Sequence, residues 1–259
     1  MSDSYDFRAQ RLHVTAGLDA GVRVALTREQ VNYLVNVLRL PEGAVVHVFN
    51  GREGEWRARL VREGRRDASL AVDERIRAQT GGMDVHYLFA PLKRSRLDYM
   101  VQKATELGVA RLQAVITRHT VAERVNLDRM RANVIEAAEQ CGILRIPEVL
   151  APMPLTKVMG QWEPLRTLVF CDEEAPVADP IRVLEAARPG PVAVLIGPGG
   201  GFAEEERALL LGLPHVVRLA LGSRIMRADT AAVAALALVN AAIGDWRSAP
   251  DADAPLSTR

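Results

Sequence analysis

The sequence predicts an α/β chain of two units: a small β-barrel-like unit, then a parallel α/β sheet. Three observations carry this. Short alternating segments crowd the first third, the stretch "RAQTGGMD" (Arg77 to Asp84) reads as a linker, and beyond it strands alternate with amphipathic helices. The expected boundaries are 1–78 and 79–247, with 248–259, rich in Pro, Asp, Ala and Ser, read as a disordered tail.

In the first unit "RLHV", "VRVAL", "AVVHVFN", "EWRARLV" and "SLAVDERI" have the alternation of half-buried strands. One helix interrupts them: Thr27 and Gln30 form a capping box, and Val31, Leu34, Val35 and Leu38 fall on one face at helical spacing. Pro41 and Gly43 mark the turn beyond. In the second unit "VHYLFAPL", "RLQAVIT", "RTLVFCDE", "PVAVLIG" and "VVRLALG" read as strands. "SRLDYMVQKATELGV", "LDRMRANVIEAAEQCG", "AEEERALLLG" and "DTAAVAALALVNAAIG" read as helices, the first burying Leu97, Met100, Val101, Ala104 and Leu107 and ending at Gly108.

Composition excludes several classes. The 259 residues are 49% hydrophobic and 25% charged, with a net charge of +1. Such a chain buries a real core, and a nucleic-acid contact has to come from a local patch. Its basic residues are nearly all arginine, which suits phosphate but equally reflects a GC-rich genome. Two distant cysteines, Cys141 and Cys171, suggest neither a disulfide framework nor a zinc site, so no metal is expected. Cys141 reads as helix core, and Cys171 as a small buried hydrophobe. The polar start and the lack of a membrane-length apolar run point to a cytoplasmic protein with no membrane partner.

"LIGPGGGFAEEE" (Leu195 to Glu206) joins a strand to a helix, where open α/β sheets bind ligands. Its order, G-P-G-G-G, is not that of a dinucleotide or nucleoside-triphosphate loop, and no lysine follows. Glu204, Glu205 and Glu206 suit the helix dipole but would repel a pyrophosphate. The loop therefore suits a ligand that is neutral, zwitterionic or partly cationic, or is a plain turn needing positive φ. A second stretch, "LALGSRIMRADTAAVAALALV", ends another strand at Leu221 and places Arg224 and Arg227 around apolar Ile225 and Met226, with Asp229 or Thr230 able to cap a long alanine-rich helix. Two such loops describe a pocket of bare backbone and aliphatic walls, suited to an adenine ring.

Together these two loops resemble the signature loops of the SPOUT (trefoil-knot) methyltransferases, and most closely the small-subunit ribosomal RNA (uracil-N3) methyltransferase family. "KRSRLDYMVQKATELGV", "AAEQCGILRIPEV" and "VLRLPEGAVVHVFNG" resemble three further family segments in the right order, the last in a PUA-like RNA-binding domain, over about residues 8 to 247. The resemblance implies a knotted parallel-sheet domain behind a PUA-like domain, S-adenosylmethionine as cofactor, ribosomal RNA or the small subunit as partner, and a homodimer. It implies cofactor contacts from Phe170, Cys171, Ile196, Gly197, Gly200, Gly201, Leu219, Leu221, Gly222, Ile225 and Met226, with Asp172 on a third edge. Arg227 is the expected donor to a uracil anion, with Arg224 second, and Asp229 the nearest candidate base or a helix cap. His119 lies where it could reach RNA or the pocket. Arg11 and Arg39 in the first unit, with Lys93, Arg94 and Arg96 at a helix start, are the expected RNA contacts; cations there sit at the unfavourable dipole end, which suggests an external phosphate. The chain departs from the family at Gly199 and Asp229, where glutamates are usual, and at Asn36, where histidine is frequent. A non-catalytic RNA-binding or ribosome-assembly protein, or a methyltransferase for another RNA position, stays open at this point.

Overall fold

The computed structural model describes residues 9–64, 67–121 and 124–247; the tail assigned to 248–259 lies outside them. The chain divides into two compact units, the first running to Gly81 and the second beginning at Gly82.

The first unit is a five-stranded sheet of β1 (Gln10–His13), β2 (Arg23–Ala25), β3 (Val45–Phe49), β4 (Glu55–Arg62) and β5 (Ala68–Arg77), in the order β1-β3-β4-β5-β2. The pairs are antiparallel except β1 with β3. β1 and β2 lie at the ends of this order. The core gathers Val46, Val48, Ala58, Leu60 and Leu70 beneath Val31 and Leu34 of the one helix. That helix starts as α1 (Arg28–Val31) with both arms of the Thr27/Gln30 capping box, then widens into a π-helical stretch, Asn32–Val37. Leu38 N–H donates to Tyr33 O, five residues back. The wider turn breaks the 3.6-residue period, so Leu38 lies 37% exposed and Leu40 packs against the core in its place. Arg39, at φ 55°, leaves the helix in the left-handed region.

Glu55 is fully buried and is held by Arg11 and Arg77. Both arginines reach on to backbone carbonyls: Arg11 to Glu139 (2.9 Å) and Ile143 (3.4 Å), Arg77 to Gly142 (2.9 Å). Glu139–Arg145 therefore belongs to the first compact unit, although the sequence boundary assigned it to the second. Cys141 is exposed, not core, because it is the last residue of its helix, followed by Gly142 at φ 70°.

The second unit is a six-stranded, wholly parallel sheet of β6 (Val85–Phe89), β7 (Arg111–Ile116), β8 (Glu148–Pro154), β9 (Thr167–Cys171), β10 (Val192–Ile196) and β11 (Val216–Leu219), in the order β11-β9-β10-β6-β7-β8. Its helices are α2 (Arg94–Glu106), α3 (Leu127–Cys141), α4 (Leu155–Gly160), α5 (Pro180–Glu185), α6 (Glu204–Leu211) and α7 (Ala228–Ile243). Alternation on the strands splits the core into two. Val85, Tyr87, Val192 and Val194 pack with Met100, Met130, Leu184 and Leu236 on one face; Leu88, Ala193 and Leu195 pack with Leu155, Met159 and Leu210 on the other. β8, α4 and α5 are the elements that pattern reading missed; they are short, and proline lies within or beside each. Small residues on α7 (Ala232, Ala235, Ala242) allow close packing, and Asn240 Nδ2 donates to Leu107 O at 2.8 Å, satisfying a carbonyl at the end of α2. The register aligns Leu195 with Phe170 and Leu219 with Cys171. The carboxyl ends of β9, β10 and β11 thus meet side by side, and the loops that leave them converge.

Candidate active site

Those three loops enclose a cleft of about 250 Å3. Phe170, Cys171, Ile196, Gly197, Gly201, Leu219, Leu221, Gly222, Ile225 and Met226 line it, as expected from the sequence, and so do Asp172, Arg207 and Arg224. Gly200 is not on the lining; it faces His119, whose Cβ would lie 3.7 Å from an added Cβ.

The glycines differ in what they permit. A Cβ on Gly197 would lie 2.4 Å from the Phe202 ring, and that ring meets Phe170 edge-on at 5.3 Å. Gly201 has φ +73°, in the left-handed region, whereas a Cβ on Gly199 would meet nothing within 4 Å. Glu206 ties the loop down, accepting from Ala203 N–H (3.0 Å) and Arg118 N–H (2.8 Å). His119 Nδ1 lies 3.2 Å from Gly201 O. These contacts give one of the three glutamates a local role, alongside the dipole.

Asp229 is the second residue of α7 and accepts both arms of Arg96, at 2.7 and 3.2 Å. The Arg96 hydrogen bond, with the amides of Asp229 and Thr230, holds its carboxyl below the ordinary value against the opposing effect of burial. The lowered pKa makes Asp229 a weaker base than a free carboxylate, and the half-exposed Arg96 ties α2 to α7 in this structure. The helix cap is Arg227, not Asp229 or Thr230; it is exposed and its side chain makes no capping bond.

Arg11 is also corrected. It is 7% exposed, paired to Glu55 and 4.5 Å from the Phe49 ring centre, so its charge is used inside the first unit. Arg39, Lys93 and Arg94 are exposed, and Lys93 is the uncapped N-cap of α2.

Sequence reading missed Arg207 and Arg218. Both donate to Asp172 Oδ2, at 2.9 and 2.7 Å. The detectable signal was a lone arginine inside the apolar strand "VVRLALG". Burial alone would raise the Asp172 carboxyl; hydrogen bonds from Arg218 and Arg207 outweigh it and hold it below its usual value. Burial pushes the Cys171 thiol up to about 12, which leaves it protonated at neutral pH and no nucleophile. Among the described residues no group of three His, Cys, Asp or Glu is placed to hold a metal, and no helix is long and apolar enough to cross a membrane.

Comparison with known proteins agrees with this geometry. The RNA methyltransferase domain profile matches residues 80–240, and the RNA methyltransferase PUA domain profile matches residues 26–73. A ribosomal RNA small subunit methyltransferase E of Synechocystis is 31% identical, over 93% of this chain and 80% of its own. The protein of that name from Rickettsia conorii is 27% identical, over 88% and 94%. A Legionella pneumophila methyltransferase solved with S-adenosylmethionine bound superposes with a TM-score of 0.81 at 27% identity, covering 92% of this chain and 99% of that one.

Proposed function

The chain belongs to the SPOUT-type ribosomal RNA small subunit methyltransferase E family, and on that premise we propose that it methylates N3 of a uridine in small-subunit ribosomal RNA, using S-adenosylmethionine. One observation carries the reading: three adjacent strand ends open onto one cleft whose glycine backbone and aliphatic side chains lie beside acidic groups and two arginines, with no lysine on it. Such walls fit an adenosine and an aliphatic amino-acid arm. Backbone of Gly197, Gly201 and Gly222, with Phe170, Ile196, Leu219, Leu221, Ile225 and Met226, would hold the cofactor. When bound, S-adenosylmethionine supplies an electrophilic methyl group on a sulfonium.

The protein's part is to position the base and support its charge. Uracil N3 has to lose its proton, and the resulting charge spreads to O2 and O4. Arg227 follows the lining residue Met226, and its potential partner Asp229 is already taken by Arg96. Its guanidinium is thus available to donate to a carbonyl oxygen of the uracil anion, which favours deprotonation. With Asp229 engaged, water is the proton acceptor. Arg39, Lys93 and Arg94 supply phosphate contacts. Ile225, 96% exposed at the cleft rim, and exposed Val177 favour a homodimer that covers this edge. The reading includes a cytoplasmic location, where ribosomal RNA is found.

The test is reverse transcription through ribosomal RNA from a deletion strain, beside calorimetry of the purified protein with S-adenosylmethionine. N3-methyluracil blocks pairing, so a strong stop in wild-type RNA should vanish in the deletion and return on complementation. Cofactor binding with no missing stop would redirect the reading to another RNA position; no cofactor binding would end it.

A further inference from the structure

We propose that Asp172 is a positioning residue that sets the mutual register of the three cofactor loops through Arg207 and Arg218; this rests on the cofactor reading above. Three segments meet on its carboxylate. Asp172 itself leaves β9, Arg207 lies on α6, just after the glycine loop, and Arg218 lies on β11, just before the third loop. Both arginines reach the same oxygen, Oδ2, while Oδ1 accepts from Glu174 N–H at 3.1 Å and so folds the first loop. Arg218 Nη2 also donates to Glu174 O at 2.8 Å, and Arg207 lies 3.2 Å from the Glu174 carboxylate. Asp172 N–H donates to Leu219 O at 3.2 Å, which extends the β9–β11 pairing to the cleft.

The arrangement is asymmetric in a telling way. Asp172 is 5% exposed, yet it accepts two guanidinium groups from different elements. Asp172, Arg207 and the neighbours of Arg218 line the same cleft. Removing the Asp172 charge would leave two adjacent guanidiniums repelling each other between α6 and β11. The loops would separate where Phe170, Gly197 and Leu219 have to close on one ligand.

The experiment measures S-adenosylmethionine affinity by calorimetry on the full-length chain with Asp172→Asn, alongside circular dichroism and RNA affinity. The expected result is a folded protein with unchanged RNA affinity and a cofactor Kd raised about tenfold or more. Asp172→Glu should recover part of the affinity, because it keeps the charge. A folded Asp172→Asn protein with Kd within about twofold of wild type overturns the proposal. If that variant does not fold, Arg207→Gln and Arg218→Gln each remove one arm, and each should raise Kd about threefold or more; unchanged affinity in both overturns it equally. Wild-type protein that does not bind the cofactor removes the cofactor reading itself, a different outcome from wild type and variant binding alike.

Discussion

Replacing Arg11 with Ala should unfold the first unit before it affects RNA. Glu55 is fully buried, and its Arg11 partner is 7% exposed. Removing one partner of a buried pair costs about 3–5 kcal/mol, because a charge is left uncompensated. Arg77 stays on the other Glu55 oxygen at 3.2 Å, so the low end, about 3 kcal/mol, is expected. For a unit of roughly 60–100 residues this lowers the melting midpoint by about 12–24 °C. Calorimetry of the full chain gives the midpoint, and RNA affinity is measured well below it. Removing all three charges of the cluster, with Arg11→Met, Glu55→Gln and Arg77→Met, should recover part of the loss. An Arg11→Ala midpoint within about 2 °C of wild type, with weakened RNA binding, would refute the burial argument and return Arg11 to the RNA surface.

Four further outcomes are expected. Arg227→Ala should lower kcat by about 10²–10³-fold with S-adenosylmethionine Kd unchanged, and a wild-type rate would remove its role. Neutralising Lys93 and Arg94 to Gln should reduce the slope of log affinity against log salt by roughly 0.7–0.9 per phosphate contact, without changing the melting midpoint. Gly197→Ala should displace the Phe202 ring and weaken cofactor binding, whereas Gly199→Glu enters open space and should shift stability by less than about 0.5 kcal/mol; equal effects on cofactor Kd would contradict the cleft geometry. His86 is held neutral by burial and by Arg166, its pKa lowered from 6.5 to about 4. Below pH 6.5 the unfolded chain takes up a proton that the folded chain refuses until about pH 4, so stability should fall across that window, and His86→Gln should flatten the fall in urea titrations.

Where local pattern carries the physics, residues and structure agree. The Thr27/Gln30 capping box formed because its two reciprocal bonds join residues three apart. The β10 and β11 loops were legible because a glycine-rich exit from an apolar strand leaves few alternatives, and ten of the eleven residues expected on the cleft line it. Even Gly199, the departure from the family pattern, is locally intelligible: it occupies space where a side chain meets nothing.

Charge was legible as residue type but not as use. Arg11, Arg39, Lys93, Arg94 and Arg96 read as available cations in one dimension, and Arg207 and Arg218 did not stand out at all. Only the tertiary structure separates those held by Glu55, Asp229 and Asp172 from those left at the surface, because their partners stand 35 to 133 positions away along the chain. The sequence by itself determined most of the elements, the parallel sheet and the residue types of the two late loops, since backbone propensity and apolar period act over a few residues. Which charges are paired and which stay at the surface, and that Asp172 joins three loops, were decided only by folding. Coulomb interactions and hydrogen bonds act on distance in space, and distance along the chain does not encode it.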